Sequence, residues 1–203
     1  PWHLKGAGTL GEELRRPEMW GNFVKWGFNS CRPQIQFYGG RGWPSFFQTP
    51  GAKGNKWNEK SKIVFGGEAL KTFDRVLKWH RDNDLVFIIN WFWNYDRPEN
   101  EPNRAIVNSS RYWKYDPTVR QHVIDIWVKI AEHCKDYPDN IFFELLNEPY
   151  DEMTPRLWNE FIEELVPIIR RTNPNRTLII GSVCWNDITA LNNLRIPEGE
   201  RNV

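Results

Sequence analysis

Continuous apolar runs alternate along this chain with stretches whose apolar residues recur every three or four positions. The clearest runs are LVFIINW (85–91), IFFELL (141–146) and TLIIGSV (177–183), with FNSCRPQIQF (28–37) as a broken version of the same. Such runs predict parallel strands covered on both faces. A weaker strand is expected near Trp2 to Gly6, and Pro33 places the end of the second strand near its tip. Between the strands the helical period appears. One helix is expected from about Pro17, with Met19, Phe23 and Val24 inward, and one from Gly67, with Leu70, Phe73, Val76, Leu77 and His80 at helical spacing. A third carries Val123, Trp127, Ile130, Ala131 and Cys134 on one stripe. A fourth opens with Thr154 as N-cap and Pro155 at the first helical position, and turns Trp158, Phe161, Ile162, Leu165 and Ile169 inward. His80 reads as the polar edge of its face, and His122 and His133 as solvated residues beside theirs. Phe37 to Gly66 and Asn94 to Pro117 read as long loops, a type that is usually functional or flexible.

Strand and helix in alternation mean a parallel α/β fold. An open doubly wound sheet and a closed barrel both fit that rhythm. No glycine-rich nucleotide loop follows any strand, which weakens the dinucleotide-binding option. Polar residues gathered at strand ends tip the choice to a (β/α)8 barrel, whose chemistry sits at the C-terminal strand ends. Residues 1–203 read as a single domain holding about five of the eight strand-helix units.

Composition adds exclusions. A net charge of +1 gives no electrostatic case for a nucleic-acid partner, and no run of 18 apolar residues exists to cross a membrane. Cys31, Cys134 and Cys184 are far apart in apolar contexts and show no metal-ligand spacing, so free buried thiols are expected, with one disulfide left open. No cofactor motif is present. No signal peptide is visible, and a chain starting at Pro1 reads as processed or trimmed. Twelve tryptophans exceed what a core of this size needs, which leaves two readings for the loop indoles: sugar-facing platforms or large core side chains.

The chemistry concentrates in NIFFELLNEPYDE (140–152), where an apolar strand ends abruptly at Asn147-Glu148-Pro149. Glu148 falls at the strand tip. Glu144 shares its parity if the strand stays regular, and lies roughly 13 Å deeper. A carboxylate so deep must be paired or neutral, and Arg32, ending the second strand, is the available partner.

At these residues the chain resembles glycoside hydrolase family 5, the cellulase family of (β/α)8-barrel retaining glycosidases. GFNSCRPQI, LKTFDRVLKWHRDNDLVFIIN, IWVKIAEHCKDYPDNIFFELLNEP and RTNPNRTLIIGSVCWN carry the likeness in order along nearly the whole chain. The resemblance implies an endo-acting β-1,4-glucanase with a β-linked polysaccharide or oligosaccharide as partner. It implies Glu148 as general acid/base, Asn147 as the hydrogen-bonder to the sugar 2-hydroxyl, and Arg32 as the support of the nucleophile. It implies Trp185 as a wall of the cleft, no metal and no cofactor, and a secreted or periplasmic location. Trp93 is expected to edge the same cleft as a second substrate-binding indole, from its position just after the third strand. The chain departs from the family where Phe92 and Trp93 replace the usual histidines after the third strand and GAGTLG replaces the usual asparagine after the first. The family's nucleophile ends the seventh strand, whereas five strands are expected here and no glutamate follows Glu200. The nucleophile is therefore expected beyond residue 203, the barrel to be completed by a further segment or a second chain, and residues 1–203 alone to be inactive. Alternatives are a β-mannanase or other β-glycanase of the same clan, and a non-catalytic carbohydrate-binding or scaffold protein.

Overall fold

The computed structural model describes residues 21–22, 24–32, 35, 45–48, 62–90, 117–150 and 153–203. Within them the strands are β1 (Ser30–Cys31), β2 (Phe47–Gln48), β3 (Lys62–Ile63), β4 (Val86–Asn90), β5 (Ile141–Glu144) and β6 (Leu178–Ile179). The helices are α1 (Gly67–Asp82), α2 (Pro117–Cys134) and α3 (Pro155–Arg170), followed by a 3-10 turn over Ile188–Asn193. The strand expected near Trp2 to Gly6 lies outside the described residues.

β1, β4, β5 and β6 form one parallel sheet in that order, each paired with the next strand of the series. Sequential parallel neighbours joined by helices give the arc of a barrel rather than a doubly wound sheet, in which the order reverses at a switch point. The register sets Phe87 beside Ile141 and Asn90 beside Glu144, and Glu144 in turn beside Ile179. Strand β4 is buried from Phe87 to Asn90, as its apolar run requires.

Helices α1 and α3 turn inward the residues their periodicity predicts, whereas Val24, expected inward on the helix from about Pro17, is exposed, and Met19 and Phe23 of that helix lie outside the described residues. Ala69, Phe73, Val76 and Leu77 of α1 and Trp158, Phe161, Ile162, Leu165 and Ile169 of α3 are buried in one continuous core with the strands. Thr154 caps α3 by accepting from the Leu157 amide at 3.3 Å, ahead of Pro155 in the first turn.

Four expectations are corrected. The stretch read as a loop from Phe37 to Gly66 contains the antiparallel ribbon β2–β3, whose two-residue strands are too short to show alternation. Phe46 beside it is fully buried, stacked on Phe65 at 5.2 Å and edge-on to Phe73 at 6.0 Å. His80 is a core residue and not a polar edge: Nδ1 bonds the Val76 carbonyl at 2.8 Å and the ring lies 4.4 Å from Phe87. His133 is half-buried, with Nε2 on the Asp74 carboxylate and its ring against Phe65 and Phe73, so it ties α2 to α1; His122 is half-buried as well. Cys184 is exposed, whereas Cys31 and Cys134 are buried, and all three are free thiols. Burial pushes the Cys31 and Cys134 thiols up to about 12. Among the described residues no helix is long and apolar enough to cross a membrane, and no three metal-ligating side chains converge.

A buried arginine organises the opposite end of the sheet. Arg176, just before β6, donates to the carbonyls of Cys134 at 2.8 Å, Tyr137 at 2.9 Å, Ile141 at 3.1 Å and Pro138, and to Asn173 Oδ1 at 3.2 Å. It thereby closes the C-terminal end of α2 and the tyrosine-proline turn that leads into β5. A cation is favoured there because the last helix carbonyls carry partial negative charge.

Candidate active site

The polar residues of interest cluster at the C-terminal ends of the parallel strands. Arg32 follows β1, Asn90 ends β4, Glu144 ends β5, and Asn147 and Glu148 follow it. Strand β4 lies between β1 and β5, so the Arg32 side chain reaches over the tip of an intervening strand to meet its partners. Its Nε and Nη2 form a two-pronged ion pair with the Glu144 carboxylate, which is 4% exposed. The deep glutamate is therefore paired, as a carboxylate out of water must be.

Nη2 of Arg32 also donates to Asn147 Oδ1 at 2.7 Å, and Asn90 Nδ2 approaches the same oxygen at 3.4 Å. Two donors on one carboxamide oxygen fix which way the amide points. Asn147 Nδ2 is the remaining edge and meets no hydrogen-bond acceptor among the described residues. The Asn90 Oδ1 atom is buried and finds no donor among them.

Glu144 and Asn147, three residues apart, face the same guanidinium. A regular strand repeats every second residue, so this is possible only because β5 stops at Glu144. The backbone bends at Leu145 and again at Asn147, so the alternation of a regular strand has ended there. The parity shared by Glu144 and Glu148 thus has no structural meaning. Glu148 is half-exposed where Glu144 is buried.

The segment after β6 packs on this tip. Val183–Asn186 form a single turn in which Cys184, Trp185 and Asn186 all have positive φ, of 57°, 60° and 63°. The Trp185 amide donates to the Pro149 carbonyl at 3.1 Å, and Asn186 Nδ2 donates to the Asn147 carbonyl at 2.8 Å. The Trp185 indole stacks on Tyr150 with centroids 4.9 Å apart and planes within 15°, and it is 61% exposed. Trp93 lies outside the described residues, as does Phe92.

Asn90 and Tyr150 belong to this cluster and escaped the sequence reading. The signal for Asn90 was available: it is the single amide closing the apolar run of β4. Tyr150 followed the Asn-Glu-Pro triplet with nothing to say that an indole 35 residues on would cover it.

Chemistry gathered at the C-terminal ends of sequential parallel strands is the layout of a (β/α)8-barrel enzyme. Comparison with known proteins narrows the class: the family model for cellulase (glycosyl hydrolase family 5) matches residues 4–203, and the chain belongs to that family. Endoglucanase C of Acetivibrio thermocellus is 35% identical over 128 residues, which span 63% of this chain and 35% of that protein. The cellulose synthase subunit Z of Clostridioides difficile superposes with a TM-score of 0.64 at 26% identity, covering 100% of this chain and 53% of that one. Cel5A of Thermotoga maritima, solved in complex with cellobiose, gives a TM-score of 0.65 at 28% identity, covering 91% of this chain and 50% of that one. The 203 residues thus span about half the length of these solved structures.

Proposed function

We propose that these residues form the acid/base half of a retaining endo-β-1,4-glucanase. In this reading Glu148 protonates the leaving glycosidic oxygen and later deprotonates water. Asn147 offers Nδ2 to the sugar 2-hydroxyl, a contact that strengthens as the oxocarbenium-like transition state forms. The observation that carries it is the fixed carboxamide: Arg32 and Asn90 hold Asn147 Oδ1, so a donor edge is presented beside Glu148. Trp185, exposed on one face and covered by Tyr150 on the other, supplies a flat surface for a sugar ring.

Retention also needs an attacking carboxyl about 5–5.5 Å from the acid. Glu144 does not serve, being buried and engaged by Arg32. The nucleophile is supplied from outside these residues. Arg32 Nη1, which meets no partner among the described residues, is the nitrogen left to steady it. A mannan reading has its own support, since Thermotoga maritima Cel5A has also been solved with mannotriose, at 27% identity to this chain and a TM-score of 0.65.

The test is calorimetric titration of residues 1–203 with cellotetraose and mannotetraose, with product analysis after long incubation. Expected are tighter binding of cellotetraose, a loss of about tenfold in Trp185→Ala, and no steady hydrolysis. Failure to bind either sugar defeats the glycan reading, and preference for mannotetraose moves the substrate to mannan. Steady hydrolysis abolished by Glu148→Gln would keep the acid/base and refute the external nucleophile. Hydrolysis that survives Glu148→Gln would remove Glu148 from the role.

A further inference from the structure

We infer that Asn186 is a positioning residue that locks the Tyr150–Trp185 platform to the backbone carbonyls of the residues flanking Glu148, Asn147 and Pro149. The register of a bound sugar against that carboxyl is then set by the turn after β6 rather than by β5 alone. The inference deepens, and rests on, the reading of Glu148 as the acid/base.

Four observations carry it. The turn grips the carbonyl before Glu148, through Asn186 Nδ2 on Asn147, and the carbonyl after it, through the Trp185 amide on Pro149. The same turn stacks Trp185 on Tyr150, two residues beyond Glu148. Its backbone is held where side chains are disfavoured, with three consecutive non-glycine residues at positive φ. Such a conformation persists only when surrounding contacts over-determine it. Finally, Gly181 makes room for the clamp: a Cβ there would overlap the Asn186 side-chain oxygen. Gly181, two residues beyond β6, therefore seats Asn186, which reaches across to the tip of β5. Ser182 Oγ closes the turn by donating to the Asp187 carbonyl at 2.7 Å.

Two variants separate positioning from bulk stability. Asn186→Gly keeps the left-handed backbone at no steric cost and removes the amide donor. Asn186→Asp keeps the shape and sets a carboxylate against the Asn147 carbonyl. Both are made in the 203-residue chain and read three ways: melting temperature, hydrogen exchange of the Trp185 amide, and cellotetraose affinity. Asn186→Gly is expected to melt within about 3 °C of the parent. In both variants the Trp185 amide is expected to exchange at least about tenfold faster and cellotetraose to bind about tenfold more weakly. Gly181→Ala, which displaces the Asn186 amide, is expected to match them in exchange and affinity. Unchanged Trp185 exchange in Asn186→Gly overturns the clamp. Faster exchange with unchanged affinity overturns the positioning role, and so does an affinity loss found only in variants that also lose melting temperature. If the parent itself binds no cellotetraose, the glycan reading has failed and the positioning role falls with it, while the exchange result still decides whether the clamp exists.

Discussion

Two arginines sit out of water at opposite ends of the same sheet. At the C-terminal end Arg32 spends its donors on side chains, the Glu144 carboxylate and the Asn147 carboxamide. At the N-terminal end Arg176 makes four hydrogen bonds to backbone carbonyls and one to Asn173 Oδ1. Backbone acceptors can only be tied down. Side-chain acceptors, once tied, turn their other atoms outward, as Asn147 does with Nδ2. One end of the sheet is therefore built to hold, and the other to hold and present.

The most damaging way to break this contrast is at the holding end. Arg176→Met removes the donors of five contacts at once, and a stability loss of about 5 kcal/mol is expected by urea denaturation. Arg176→Lys should recover less than half of it, because one ammonium cannot span the same fork. A loss below about 1 kcal/mol would show the cage to be incidental.

At the presenting end Arg32→Met strands a buried carboxylate, with an expected loss of about 4 kcal/mol. Adding Glu144→Gln should restore most of that stability, since the stranded charge is gone. Sugar affinity should stay low in the double variant, because Asn147 is no longer oriented. Restored affinity would show that Asn147 needs no arginine.

His80 sharpens the comparison. It lies near the holding end, where the Asn140 amide bonds the Leu85 carbonyl and Leu85 bonds the His80 carbonyl. Burial pushes its imidazole down from 6.5 to about 4, outweighing the bond to the Val76 carbonyl. The unfolded chain then binds the extra proton, so the contribution is complete above pH 6.5 and is lost as pH falls toward about 4. Its size is about 3 kcal/mol, read as a steeper acid slope of stability than in His80→Gln. Histidine can shed its charge when buried. Arg176 cannot, and therefore needs its carbonyls.

The smallest effect concerns the turn at the presenting end. Cys184→Gly relieves a side chain held at φ 57° and should raise stability by about 1 kcal/mol. Unchanged or lowered stability would mean that the turn is not strained at Cys184.

The strands, helices and caps of the core were legible because burial writes itself as period: β4 as an unbroken run, α3 as a stripe behind Thr154 and Pro155. The Arg32–Glu144 pair was legible from charge alone, since a deep carboxylate calls for a cation. Less was visible where contact depends on distant chain. Nothing local marks His80 as core or His133 as the partner of Asp74, since each depends on what the neighbouring element brings. The irregular end of β5 misled the parity reading, because alternation is assumed until a structure stops it. The left-handed turn had no signal, as Cys-Trp-Asn lacks the glycine that usually announces positive φ.

The cage around Arg176 also bears on the order in which the chain is made. Its donors reach back 35 residues to Ile141 and 42 to Cys134. On the ribosome, α2 and β5 emerge well before the residue that closes their junction. Until Arg176 arrives, the carbonyls of the tyrosine-proline turn have only water and local bonds, and β5 has no fixed starting point. Emergence of the β6 approach then latches α2, β5 and α3 in one step, so this part of the barrel is expected to become protease-resistant late and all at once during synthesis.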